Sequence, residues 1–171
     1  MDRCKKIFIR PMKETDIELL LKNYAEQGWS KPREVLESYL ARQNNNTLFM
    51  FVAEIADDVA GFVVLYEDST VGPFANQKIP LLSDFIVFKK FQRQGIGNKI
   101  MDAAEEKAAT LSDKIQLGVG VHEGYGAAWR IYVKRGYIPD GSGVWYRGSR
   151  LGEGEDCKND DDLIMYFTKE L

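Results

Sequence analysis

Residues 87–101 read VFKKFQRQGIGNKIM. An apolar run from Pro80 to Phe88 breaks here into three basic residues, Lys89, Lys90 and Arg93, followed by Gly95 and Gly97. Beyond them Ile100, Ala104, Ala108 and Leu111 recur at helical spacing. Strand, glycine turn and helix, in that order, build an anion site from backbone. The N–H groups of a first helical turn have no acceptor within their own helix, and the macrodipole favours negative charge there. Glycines let a phosphate approach that turn without a Cβ in the way. The spacing excludes two common versions of such a site. A P-loop needs G-x-x-x-x-G-K-S/T, and the dinucleotide fingerprint G-x-G-x-x-G fails because Ile100 stands where its third glycine belongs. What remains is Q-x-x-G-x-G, carried by Gln92, Gly95 and Gly97.

The rest of the chain supplies the frame. Residues 5–11 (KKIFIRP) read as a strand. Thr15 and Glu18 have capping-box spacing and open a helix with Ile17, Leu20, Leu21 and Tyr24 on one face. After Gly28-Trp29-Ser30, Pro32 sits where a first helical turn tolerates it, and Val35, Leu36, Tyr39 and Leu40 mark a second amphipathic helix. Strands are expected over 48–55 and 59–67, joined through Asp57-Asp58 as an antiparallel hairpin, and again over 81–88. A strand at 115–121, a helix at 127–134 and strands at 137–147 and 163–168 complete the pattern. No repeat, linker or low-complexity tract interrupts it, so residues 1–171 are expected to form one α/β domain with a mixed sheet.

A second block, Tyr125-Gly-Ala-Ala128-Trp-Arg-Ile-Tyr132-Val-Lys-Arg-Gly136-Tyr137, begins 33 residues after Gln92. With both blocks in view, the chain resembles the GNAT superfamily of acetyl-CoA-dependent N-acyltransferases. Gln92, Gly95 and Gly97 match that family's pyrophosphate motif, Q/R-x-x-G-x-G/A, and Val87 matches the valine of its preceding strand. Ala128, Tyr132, Gly136 and Tyr137 match N-x-x-A-x-x-x-Y-x-x-x-G-F/Y, with Tyr125 standing where the family often has asparagine. The resemblance implies a GNAT-like fold, a central and mostly antiparallel sheet splayed between the fourth and fifth strands (81–88 and 115–121) and flanked by helices. It implies acetyl-CoA as cofactor. Pantetheine would run along Phe85, Ile86 and Val87, and the pyrophosphate would rest on backbone N–H groups of Arg93, Gln94, Gly95, Ile96, Gly97 and Asn98. Tyr125 and Ala128 would line the cofactor from the second block, and Tyr132 would present its hydroxyl to the cofactor sulfur as general acid.

Acetyl transfer to an amine needs a neutral nucleophile, a stabilised oxyanion and a leaving thiolate that is protonated or tolerated. Deprotonating a lysine-like amine of pKa about 10.4 at pH 7 costs roughly 4.6 kcal/mol. A base, a water chain or an apolar pocket must help. His122, the chain's one histidine, follows the strand 115–121 and titrates in the useful range, which makes it the first candidate. Glu123, Asp84, a residue of the terminal strand or ordered water stand as alternatives. Trp29 lies in the break between the first two helices, a segment that borders the acceptor cleft in the family, and reads either as core or as part of a lid. Between Glu153 and Asp162 lie six carboxylates and one lysine, which would favour a cationic acceptor.

Composition narrows the setting. At 44% hydrophobic and 29% charged, the chain is an ordinary folded protein of 171 residues. A net charge of −3 argues against nucleic-acid binding, and no apolar run approaches the roughly 20 residues of a membrane span. Two cysteines, Cys4 and Cys157, make neither a disulfide framework nor a metal site. A cytoplasmic enzyme acting on a small-molecule or peptide amine is expected, with a homodimer possible. The alternative is a non-catalytic acyl-CoA-binding or sensing module.

Overall fold

The computed structural model describes residues 6–171, so Cys4 and the first residue of the strand expected from position 5 lie outside it. Its strands are β1 (Ile7–Pro11), β2 (Leu48–Ile55), β3 (Asp58–Tyr66), β4 (Leu81–Val87), β5 (Lys114–Gly120), β6 (Ile138–Tyr146), β7 (Ser149–Arg150) and β8 (Leu163–Glu170). Its helices are α1 (Asp16–Glu26), α2 (Arg33–Asn44), α3 (Ile96–Ala109) and α4 (Gly126–Lys134). The strands form a mixed sheet in the order β1-β2-β3-β4-β5-β8-β6-β7. β4 and β5 run parallel, with Leu81 opposite Gln116 and Leu82 opposite Leu117, while β1–β2, β2–β3, β5–β8, β6–β8 and β6–β7 are antiparallel. A mixed, mostly antiparallel sheet with a parallel β4–β5 pair agrees with the GNAT-like fold that the resemblance implies.

The chain gathers into two compact units. The first holds the described residues up to Tyr66 together with Asp84–Glu106. Its core is built by the apolar faces anticipated from periodicity: Ile17, Leu20 and Tyr24 of α1, Leu36 of α2, and alternate residues of β2 and β3. Ala56 and Asp57, both at positive φ, form the two-residue hairpin turn, one position earlier than Asp57-Asp58. Left-handed conformation at both central residues matches the strands' own twist.

The expected capping box is absent. Thr15 is itself helical and makes no side-chain cap, whereas buried Asp16 accepts from Lys13 N–H at 2.8 Å. Asp16 also takes a two-pronged contact from Arg10, at 2.7 and 2.8 Å, and Arg10 Nε donates to Glu54 at 2.5 Å. The long-range guanidinium out-competes a local hydroxyl because a charged bidentate pair is the stronger interaction. Removing Asp16 takes away both prongs of that contact and leaves Arg10 with Glu54 alone, so Asp16→Ala is expected to cost about 2–4 kcal/mol by urea unfolding.

The second unit holds Glu67–Ser83 and Lys107–Leu171. Ile115, Leu117 and Val119 of β5, Tyr166 and Phe167 of β8, and Tyr132 and Tyr137 are buried in it. β5 and β8 pair along their length, from Lys114 opposite Glu170 to Gly120 opposite Ile164. The strand expected over 137–147 turns back at Arg147-Gly148, both at positive φ, to make the short β7.

Candidate active site

In the first unit, β4 ends on a sequence of tethers. Gly61 of β3 faces it so closely that a Cβ there would stand 2.3 Å from the Ile86 carbonyl oxygen and 3.0 Å from Val87 Cα. Phe88 N–H donates to Ala60 O at 3.0 Å, and its ring is buried edge-on against Tyr24. A single 3-10 turn, Lys89–Phe91, follows. Gln92 then folds its side chain back, and its amide nitrogen donates to Val87 O at 2.9 Å. The glutamine of the motif therefore holds the turn closed from behind.

Arg93 and Gly95 both take left-handed backbone, φ 61° and 76°. Lys99 N–H donates to Gly95 O at 3.3 Å, which starts the hydrogen-bonded run of α3. The amides of Gly95, Ile96 and Gly97 precede it at the mouth of α3. The Ile96 side chain is buried, with Ile100, Met101 and Ala104 below it, so Ile96 can offer a ligand only its backbone. Arg93, Gln94 and Asn98 are exposed, and Phe85, Ile86 and Val87 are half-buried. Lys90, expected to help hold an anion, is committed elsewhere. Its ammonium pairs with Glu26 at 2.7 Å and Asp58 at 3.0 Å, and these contacts raise its pKa against the lowering effect of burial. Lys89 lies over the Trp29 ring, 5.3 Å from its centroid.

In the second unit, β5 leads into a 3-10 turn, Glu123–Tyr125, capped by His122. Gly124 N–H donates to His122 Nδ1 at 3.1 Å, which places the ring proton on Nε2, 2.9 Å from Asp161 Oδ1. Tyr125 Oη donates to the same oxygen at 3.0 Å, and the two rings meet edge-on. Hydrogen bonds from His122 and then Tyr125 hold the Asp161 carboxyl below its ordinary range. Both imidazole nitrogens are thus hydrogen-bonded within this cluster. The ring thereby caps and organises the turn that leads into α4. With Glu123, Asn159 and Asp160 this cluster lines an open recess of about 530 Å³.

α4 starts at Gly126 and carries Ala128, half-buried, and Tyr132, buried. Trp129 Nε1 donates to Gly120 O at 2.8 Å, and its ring stands edge-on to Phe167, which fixes the helix against the end of β5. Tyr132 packs against Tyr137, centroids 5.8 Å apart. Burial first, then the proximity of Tyr125, raises the Tyr132 pKa, so its hydroxyl stays protonated throughout the neutral range.

Tyr24, Tyr39 and Tyr166 are raised as well, burial again being the leading cause. For an acid whose folded pKa exceeds its unfolded value, stability is complete below the unfolded pKa and is lost as pH rises beyond it. Melting temperature is therefore expected to hold up to about pH 10, the ordinary tyrosine value, and to fall above it. Phenolate absorbance should appear with unfolding rather than before it, and full ionisation while the protein remains folded would contradict this.

The profile of the acetyltransferase (GNAT) domain matches residues 20–151, most of the chain. The chain belongs to the GNAT family. This GNAT protein is an acyltransferase, and acetyl-CoA is the cofactor of its family. Solved structures agree on the fold. A GNAT-family acetyltransferase from Streptococcus pneumoniae is 20% identical with a TM-score of 0.67, covering 97% of this chain and 100% of its own. The ribosomal-protein-alanine N-acetyltransferase of Brucella melitensis is 20% identical, TM-score 0.67, covering 96% of this chain and 99% of its own. yncA of Salmonella typhimurium, solved with its cofactor acetyl-CoA, is 15% identical, TM-score 0.67, covering 96% and 93%. No curated protein sequence matches.

The glycine turn of this GNAT chain fits the cofactor's pyrophosphate on its own geometry. A Cβ built on Gly95 would meet nothing within 4 Å, and Gly95 and Arg93 both take left-handed backbone, a conformation that recurs in anion-binding nests. Asp84, by contrast, gave no sign in the sequence of its unusual backbone, φ 47° in the middle of β4, nor of its contacts with Lys31 and Tyr39.

Among the described residues, no helix is long and apolar enough to cross a membrane.

Proposed function

We propose that residues 1–171 form one N-acetyltransferase domain that moves an acetyl group from acetyl-CoA to a primary amine of a small molecule or peptide by direct attack. The observation that carries this is the turn at 92–97, closed from behind by Gln92 and open above Gly95. Acetyl-CoA supplies an acyl group already activated as a thioester. The amides from Arg93 to Asn98 bind its pyrophosphate, with Arg93 rather than Lys90 as the adjoining cation. Phe85, Ile86 and Val87 offer backbone to pantetheine, and Ala128 and Tyr125 border it. Tyr132 holds a proton on Oη and donates a hydrogen bond to the departing sulfur. Its raised pKa favours that hydrogen bond over outright transfer of the proton. His122 and Asp161 shape the turn that carries Tyr125.

A peptide amine is a reasonable acceptor because a neighbour in fold acts on the alanine amine of a ribosomal protein. CoA release measured with polyamines, aminoglycosides, amino acids and peptide N-termini tests the proposal. Turnover with at least one class is expected. Tight CoA binding without release in any of them would refute it.

A further inference from the structure

Asp84 adopts φ 47° inside an otherwise extended strand. A non-glycine residue held there persists only where its surroundings over-determine it. Those surroundings converge on one cation. Asp84 Oδ2 accepts from both Lys31 Nζ and Tyr39 Oη. The Lys31 ammonium also lies 5.7 Å from the centroid of the Tyr39 ring, within cation–π range. Only 17% of the Lys31 side chain and 30% of that of Asp84 are exposed, so the pair is largely out of water. Burial, followed by the hydrogen bond to Asp84, raises the Tyr39 pKa and keeps its hydroxyl a donor.

A carboxylate braced by a hydroxyl, beside an aromatic face, is a receptor for a primary alkylammonium. Here the chain's own lysine fills it. Lys31 comes from the connection between α1 and α2, which also carries Gly28 at φ 76° and the half-exposed Trp29. A partly buried ion pair contributes little net stability, so bracing that connection does not by itself account for the strain at Asp84. Asp84 also immediately precedes Phe85, the first of the residues assigned above to pantetheine.

We propose that Asp84 and Tyr39 form the acceptor-ammonium subsite, and that Lys31 is an intramolecular occupant which a primary alkylamine displaces. The acceptor role rests on the acetyl-transfer reading, whereas ammonium binding does not depend on it.

Butylamine, which reproduces the lysine side chain, is the probe. Its binding can be followed by the fluorescence of Trp29 and by calorimetry. Lys31→Met keeps the apolar stem and removes the competitor. If the internal pair is closed about nine-tenths of the time, this variant should bind butylammonium about tenfold more tightly than the wild type. Asp84→Asn preserves the backbone, because asparagine also tolerates left-handed φ, and should lose that binding. Tyr39→Phe should weaken it less. Unchanged affinity in Lys31→Met, or full affinity in Asp84→Asn, would overturn the proposal. Should Asp84→Asn fail to fold, the Lys31→Met comparison decides alone. CoA titration and butylamine acetylation run alongside separate the two readings. Butylammonium binding as expected, with no acetyl transfer to any amine, would leave the subsite standing and remove the acetyltransferase assignment.

Discussion

Gly97→Val is expected to cost this protein about 100-fold or more in CoA affinity while leaving its fold in place. Gly97 is the second residue of α3 and half-buried, and its amide lies in the first turn of the helix, ahead of the Lys99 N–H that donates to Gly95 O. A branched side chain there pushes the pyrophosphate off the amides. Losing two hydrogen bonds to a charged group, at about 1.5–3 kcal/mol each, removes at least 3 kcal/mol, or about two decades of affinity. Valine in the first helical turn costs under about 1 kcal/mol in propensity, so the melting temperature should move by only a few degrees. Gly95→Val is the less informative variant. Its φ of 76° strains any β-branched residue, so lost binding there would be confounded with lost stability. Gln92→Ala removes the tether to Val87 O and should weaken CoA only modestly, since the anion contacts are backbone. Calorimetric titration of the Gly97 variant with CoA checks the main claim, and a wild-type isotherm would place the pyrophosphate elsewhere.

The parts of this site that could be read from sequence are those fixed by local backbone. Glycine eases a positive φ, a helix needs periodic apolar residues, and both leave marks within a few positions. The glycine turn, the apolar face of α3 with Ile100 and Ala104, and the hairpin of β2 and β3 belong to this class. What sequence reading missed depends on partners far along the chain. Lys90 looked available until Glu26 and Asp58, 64 and 32 residues away, took its charge. His122 was read without its partner, because Asp161, which accepts a hydrogen bond from its Nε2, lies 39 residues on. Thr15 lost its capping role to Asp16 because Arg10 arrives from β1. Charged side chains are long, their partners are chosen by the fold, and the strained backbone of Asp84 carries no residue-type signal at all.

Tyr132→Phe is expected to lower kcat by about 10²–10⁴-fold while CoA affinity barely moves, the range typical of a positioned acid. The substitution keeps the ring, its burial and its edge contact with Tyr137, and removes only Oη. A tyrosine that merely packs would lose little activity, so the two roles separate cleanly. The raised pKa adds a second discriminator. A thiol titrates near 8.5 and an ordinary tyrosine near 10, so proton transfer to the thiolate is already uphill by about 1.5 units, and burial of Tyr132 steepens it. On the acetyl-transfer reading proposed above, the hydroxyl would stabilise the leaving sulfur as a hydrogen-bond donor, with the proton completed from solvent after departure. It follows that ionisation of Tyr132 should produce no alkaline loss of kcat below about pH 10. Acyl donors with a more acidic leaving thiol should be less sensitive to the substitution, because less charge needs stabilising at sulfur. Single-turnover measurements with acetyl-CoA, in which chemistry is shown to limit the rate, provide the check. A Phe variant with wild-type turnover under those conditions would reduce Tyr132 to packing beneath the cofactor.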